Sequence, residues 1–384
     1  MHEHKQNQCK RKMKHRKNVM GLIVFCITVW IAFMFAYYQN LRKEIAVQQE
    51  WLETVLTGEK KWILENQGPN GEIYMNGSKA GDVNPYFACM AALGLLTETK
   101  NCPMTETEKK AVGKYLDWHT GILLETDGKM GVYRKEGGKL IYKEKADSED
   151  GYLGMYLFLM GKYLEKTEST DLPESWKNGI SLALKKIQSL MQDGITQVSE
   201  DNTTVYLMDN LEVWKGLYEL ELAGLENTQT IREMRKKIQE QIEKIFWDDT
   251  NQRWRIIGNS DRYHQTEFYP DGVAQIYPLI YEFPAKEKKK QKVLYEQFTE
   301  RFQWQKLNKK RTGFLWAITG MAAAQMGDIN HLVELIGNYE TEYGKGKERK
   351  YPLYTGEAGW ICMECGKLYG LYDRKIKTAF IPCI

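Results

Sequence analysis

Residues 151–165 read GYLGMYLFLMGKYLE, a helix-length run with apolar side chains on every face. A helix that is apolar all round is buried. Five further stretches share this character, at 85–98, 211–224, 272–283, 314–326 and 357–371. Amphipathic, charged segments at 43–66, 104–124, 172–192, 227–247, 286–306 and 328–342 alternate with them. A helix with one apolar stripe covers a buried partner. The body therefore reads as all-α, with six outer–inner pairs. Six pairs imply a closed (α/α)6 toroid of six helical hairpins; two six-helix bundles are the alternative. No Pro/Gly/Ser-rich linker divides residues 51–384, which favours one domain.

In such a toroid the inner helices run the same way, so their N-termini gather on one face. Asn84-Pro85 is a good helix start, since Asn caps and Pro suits the first helical position. Asp147-Ser148-Glu149-Asp150 precedes the second inner helix, and Asp209-Asn210 the third. Tyr269-Pro270-Asp271 precedes the fourth, Arg311-Thr312-Gly313 and Trp316 mark the fifth, and Tyr354-Thr355-Gly356-Glu357 the sixth. Acids at helix starts suit capping and the macrodipole. Capping does not call for the Tyr or Trp beside each one. The shared face would collect Asp82, Asp147, Glu149, Asp150, Asp209, Asp271 and Glu357. Among them would stand Tyr86, Tyr152, Trp214, Tyr269, Trp316, Tyr354 and Trp360. Tyr and Trp pair an apolar face with a polar tip, which suits a sugar ring and its hydroxyls.

At these residues the sequence resembles the six-hairpin glycosidase superfamily. The strings GDVNPYFACMAALGLL, ADSEDGYLGMYLFLMGKYL, YPDGVAQIYPLIYEF and YTGEAGWICMECGKLYG look like inner-helix starts of its bacterial members. Ser148-Glu149-Asp150-Gly151-Tyr152-Leu153-Gly154-Met155 is also similar to the acid-bearing motif of family 8 glycoside hydrolases. That motif runs Ser-Glu-Gly, then Tyr-Gly-Met, so Asp150 and Leu153 are insertions. The resemblance implies a sugar cleft at the inner-helix starts and hydrolysis by two carboxyl groups, often with inversion.

Glycoside hydrolysis needs one protonated carboxyl for the leaving oxygen and a second carboxylate as base or nucleophile. Crowded acids resist joint ionisation, so a cluster supplies a raised pKa. Asp147, Glu149 and Asp150 offer that cluster. Asp150 is the expected general acid, Asp271 the expected base and Glu357 its alternate. Asn84, Tyr86, Asn210, Trp214 and Trp360 would bind hydroxyls or stack on rings, with Asp82, Tyr152, Asp209, Tyr269, Trp316 and Tyr354 also lining the cleft. The carbohydrate partner is a polysaccharide or oligosaccharide. The alternatives are a non-catalytic sugar-binding or polysaccharide-assembly protein, or a lyase or epimerase using His264 with a tyrosine. No HExxH, Walker or GxGxxG context appears, and no cofactor is expected. The Cys362-x-x-Cys365 pair lies in an apolar helix without a second pair at zinc spacing, and reads as packing.

The N-terminus has its own logic. Val19 to Tyr38 is 20 residues without a charge, the length of a membrane-crossing helix. Residues 1–18 hold seven Lys/Arg against Glu3. The positive-inside rule puts this basic tail in the cytoplasm and the body outside, with residues 39–50 next to the membrane. Ala32 and Ala36 are followed by Tyr37 and Tyr38, which fits an uncleaved signal anchor better than a cleaved signal peptide. The chain's small positive net charge belongs to the tail, and the rest is mildly acidic, so a nucleic-acid partner is not expected.

Overall fold

A computed structural model describes residues 2–77, 81–137, 139–169, 171–225, 228–258, 260–286, 288–307 and 313–380. Arg311 and Thr312 of the fifth helix start lie outside them. The chain divides into two compact units, residues 52–368 and residues 1–51 with 369–384.

In the larger unit, helices alternate between the two kinds that the sequence distinguishes. The outer ones are the last part of α1 (His2–Glu65), α3 (Glu106–Glu125), α5 (Glu174–Leu190), α7 (Thr228–Phe246), α9 (Lys288–Phe302) and α11 (Ile329–Tyr343). The inner ones are α2 (Pro85–Leu95), α4 (Glu149–Thr167), α6 (Leu207–Leu222), α8 (Val273–Ile280), α10 (Thr319–Met326) and α12 (Thr355–Phe380). Burial follows the pattern. α7 buries only Ile231, Met234, Ile238, Ile242 and Phe246, a single stripe. α4 buries fifteen of its nineteen residues, so it has neighbours on all sides. Both layers close on themselves. Tyr339 of α11 donates its hydroxyl to Glu59 of α1 at 2.7 Å, and Gly359 of α12 lies against the backbone of Met90 and Ala91 in α2.

The inner helices approach closely where glycine removes the side chain. A Cβ on Gly154 of α4 would stand 2.7 Å from the Val213 nitrogen and 2.8 Å from the Glu212 carbonyl carbon. Neither is a flexible atom. Alanine gains about 1 kcal/mol over glycine in a helix interior, but overpacking a rigid contact costs about 1–3 kcal/mol or more. Gly154→Ala is therefore expected to lower the urea midpoint, despite its better helix propensity.

Short strands interrupt the helical body, as two-residue pairs at 191–192 with 195–196 and at 247–248 with 253–254, and as one larger sheet. Strands β1 (Asp82–Val83), β2 (Gly131–Glu136) and β3 (Lys139–Lys145) form a small antiparallel sheet in the order β1-β2-β3, with Asp82 opposite Arg134 and Gly131 opposite Lys145. The alternation in GVYRKE, followed by a glycine turn, is a hairpin signal that the helical reading passes over.

Side chains cap the first two inner helices, and the third, fourth and fifth have no side-chain cap. The Asn84 side chain accepts from the Tyr86 N–H at 2.9 Å, with Pro85 in the first turn. Ser148 accepts from the Gly151 N–H at 3.3 Å. The fifth inner helix begins late, at Thr319. Its predicted first turn is an irregular segment instead, with Trp316 in the left-handed region at φ +59°.

In the smaller unit, α1 carries one apolar stretch long enough to cross a membrane, with a mean hydropathy of 2.6 and none of it buried. Gln49 donates to Asp373 at 2.7 Å within the same unit.

Candidate active site

A cavity of about 340 Å³ opens at the N-terminal ends of the inner helices. Every inner helix or its leading segment contributes to the wall. α2 gives Asn84, Tyr86 and Met90; α4 gives Asp147, Ser148 and Tyr152; α6 gives Met208, Asp209 and Glu212. The fourth start gives Tyr269 and Tyr277, the fifth Phe314, Trp316 and Ile318, and the sixth Glu357 and Trp360.

Aromatic rings shape the mouth. Tyr269, 47% exposed, lies against Trp316 with ring centroids 4.7 Å apart. Tyr86 packs on Tyr152 at 5.5 Å. Holding Trp316 at positive φ costs on the order of 1–3 kcal/mol, a strain that surrounding contacts must impose. Glu357 supplies them: its Oε1 accepts the Trp316 N–H at 3.1 Å and its Oε2 the Ala317 N–H at 2.8 Å.

Four carboxyls reach the cavity: Asp147, Asp209, Glu212 and Glu357. Burial pushes Glu212 up to about 8, against the hydroxyls of Tyr86, Tyr277 and Tyr281 that favour its charged form. All three hydroxyls donate to the same oxygen, Oε1; Tyr277 does so at 2.8 Å and Tyr281 at 3.3 Å. The other oxygen, Oε2, lies beside Gly151, where a Cβ would come within 2.8 Å of it. Burial also pushes Glu357 up to about 7, opposed by its backbone donors. Asp209 is held well above the ordinary carboxylate range by burial and then by Asp150 and Glu212.

Several expected site residues stand elsewhere. Asp150 has no exposed surface; it sits in the core, bonded to Ser148, Thr196 and the Gly151 N–H. It cannot touch a substrate in the cavity. Asp271 is buried as well, and accepts the His264 backbone N–H at 2.6 Å. Glu149 faces Lys145 at 3.3 Å, outside the cavity. That geometry does not carry over the general acid suggested by the family 8 similarity. Asp82 belongs to β1 and pairs with Arg134 and Lys143, each at 2.7 Å. Asn210 and Trp214 flank the cavity-facing Asp209 and Glu212 in sequence, but 100° per residue turns them away. Asn210 bonds Thr196, and Trp214 is buried against Tyr218, its ring nitrogen donating to Gln239 at 3.4 Å. Tyr354 packs against Phe87 and Phe314 behind the wall.

Glu212, Tyr277, Met90, Phe87, Phe314, Met208, Ser148 and Ile318 line the cavity without being expected there. The signal for Glu212 was available. Asp209-x-x-Glu212 puts two acids on one helix face.

No protein-family model matches the sequence, and no curated protein matches it. Solved structures do match in shape. A glycosidase carrying a glutamate-to-alanine replacement, in complex with glucose, has a TM-score of 0.59 at 12% identity, covering 84% of this chain and 98% of its own. The fold is the six-hairpin toroid of glycosidases. An inactive variant of an α-1,6-mannanase from a Salegentibacter species, in complex with α-1,6-mannotriose, has a TM-score of 0.52 at 12% identity, covering 83% and 99%. A sugar epimerase from a ruminal bacterium has a TM-score of 0.51 at 10% identity, covering 83% and 98%. The six-hairpin toroid thus carries more than one sugar chemistry, and fold alone does not choose among them.

Proposed function

We propose that the protein is a glycoside hydrolase in which Glu212 is the general acid and Glu357 the carboxylate on the attacking side. One observation carries the reading: two cavity-lining glutamates from different inner helices, α6 and α12, each held in a defined and different setting. Burial keeps Glu212 protonated near neutral pH, and its tyrosine donors all engage Oε1. A proton on Oε2 then has no competing role in that network. Glu357 is gripped on both oxygens by backbone N–H groups, which favour its charged form. An acid and a base in separate environments are what hydrolysis requires. Neither glutamate is a helix cap, and the cavity between the inner helices is open, which supports an enzyme over a binding scaffold.

The surrounding Tyr152, Tyr269, Trp316 and Trp360 suit the apolar faces of sugar rings. Epimerisation by His264 gains no support, because that residue does not line the cavity. Residues 19–38 anchor the protein in the membrane in this reading, with the basic tail in the cytoplasm and the toroid outside.

The test is turnover by the full chain in detergent against a panel of oligosaccharides, read by reducing ends and by product anomer. Release of reducing ends that is lost in Glu212→Gln supports the assignment. Binding that survives in both glutamate variants, with no turnover by the wild type, would sink it.

A further inference from the structure

Four oxygen–oxygen contacts run in a line from the cavity wall into the core. Asp209 Oδ2 lies 2.8 Å from Ser148 Oγ, which lies 2.7 Å from Asp150 Oδ1. Asp150 Oδ2 lies 2.7 Å from Thr196 Oγ1, which lies 2.8 Å from Asn210 Oδ1. Asp209 lines the cavity, while Asp150, Thr196 and Asn210 have no exposed surface. Oxygens this close need a proton between each pair. The two hydroxyls bring one proton each, and four contacts need four. Only the two carboxyls can bring the others.

Asn210 sets the direction. Its Nδ2 donates to the carbonyls of Thr196 and Tyr206, both at 2.9 Å, so its Oδ1 accepts. The Thr196 hydroxyl then donates to Asn210, and Asp150 donates from Oδ2 to Thr196. Ser148 donates to Asp150 Oδ1, and Asp209 donates from Oδ2 to Ser148. No other distribution of protons supplies all four contacts. The Gly151 N–H, 3.0 Å from Asp150 Oδ1 and 3.3 Å from Ser148 Oγ, points at two atoms that both accept in this arrangement.

We propose that Asp209 is a specificity residue held as a neutral acid by this one-way chain, and that its free oxygen reads a hydroxyl of an uncharged sugar. Oδ1 of Asp209 has no hydrogen-bond partner among the described residues, so the atom left for a ligand is a carbonyl-type acceptor. The groups facing Asp209 are Ser148, Asp147, Asp150, Glu212 and Tyr269. All the ionisable ones are acids, and burial among them favours the protonated form. Among the described residues, no lysine, arginine or histidine lines the cavity to pair with a uronate. The sugar preference rests on the glycosidase reading; the protonation state does not.

Infrared difference spectra of the full chain, wild type minus Asp209→Asn at pH 5, where an ordinary aspartate is ionised, test the protonation state without any ligand. The expected loss lies in the protonated-carboxyl C=O region, and Asp150→Asn removes a second such band. A loss in the carboxylate region for Asp209→Asn overturns the proposal. If that variant does not fold, a pH titration of the wild type with labelled aspartate reads the same bands. Ser148→Ala removes the acceptor of the Asp209 O–H and is expected to shift the protonated-carboxyl band without moving it to the carboxylate region, and Ser148→Thr to restore its position.

On a neutral glycoside that the wild type hydrolyses, Asp209→Leu is expected to lower kcat/KM by about tenfold or more, and Asp209→Asn to recover most of that loss, because Asn keeps both the acceptor and a donor to Ser148. The matching uronate is expected to react at least about tenfold more slowly. Equal use of the uronate overturns the specificity claim. Failure of the wild type to cleave any glycoside counts against the glycosidase reading and leaves the infrared result standing.

Discussion

Glu212→Gln is expected to lower kcat by about 100- to 10,000-fold, the range for loss of a general acid, while the fold is kept. The amide suits the site. Its oxygen can still accept the hydroxyls of Tyr86, Tyr277 and Tyr281, and its nitrogen takes the place of Oε2 beside Gly151. The same substitution should stabilise the protein in mildly basic buffer. Burial moves Glu212 from its ordinary 4.5 to about 8 in the folded state. Between those values the folded chain holds a proton that the unfolded chain has released, so stability falls as pH rises through the window. The slope from this one group is at most about 1.4 kcal/mol per pH unit. Glutamine has no such proton, and the advantage of the variant should grow from pH 5 to pH 8 in thermal melts.

The wild-type rate should follow from the same two groups. Hydrolysis needs Glu357 ionised and Glu212 protonated. Glu357 loses its proton near 7 and Glu212 near 8. A narrow bell peaking between those values is expected for kcat/KM, which reports the free enzyme. A plateau extending down to pH 5 would remove Glu357 from the role of base.

The twelve described helices were legible because burial on all faces and burial on one face leave different patterns in a sequence. Capping residues such as Asn84 and Ser148 marked where inner helices begin. The candidate site was only partly legible, for a reason visible in α6. A helix start gives angle and not depth. The cavity runs past the first turn, so Glu212 and Trp360 reach it from deeper positions than Asp209 and Glu357. Asp150 and Asp271 stand at helix starts yet turn into the core, where a hydroxyl or a backbone N–H takes them up. Asp82 was lost to the β-hairpin, whose Arg134 and Lys143 carry opposite charge. Gly151 and Gly154 show the reverse case. Their place in an all-apolar run says nothing of what they approach, yet they let α4 lie directly against the peptide and side chain of Glu212.

Glu357→Ala should behave unlike the change at Glu212. It removes the acceptor for the N–H groups of Trp316 and Ala317, and leaving a buried donor unpaired costs about 1–3 kcal/mol. Those N–H groups also hold Trp316 at its positive φ, so the mouth of the cavity loosens with them. The variant should therefore melt earlier and lose turnover by about 100-fold or more. Two small anions should separate these losses. Formate presents two oxygens to the freed N–H groups, and is expected to raise the melting temperature of Glu357→Ala but not of the wild type. Azide can take the vacated place and attack the sugar, so it should restore glycoside cleavage and leave a glycosyl azide. A product of inverted configuration puts Glu357 on the attacked face, as proposed. Retained configuration would put it on the leaving-group side and exchange its role with that of Glu212. The anomer first released by the wild type then divides what remains: inversion makes Glu357 the base for water, and retention makes it the nucleophile.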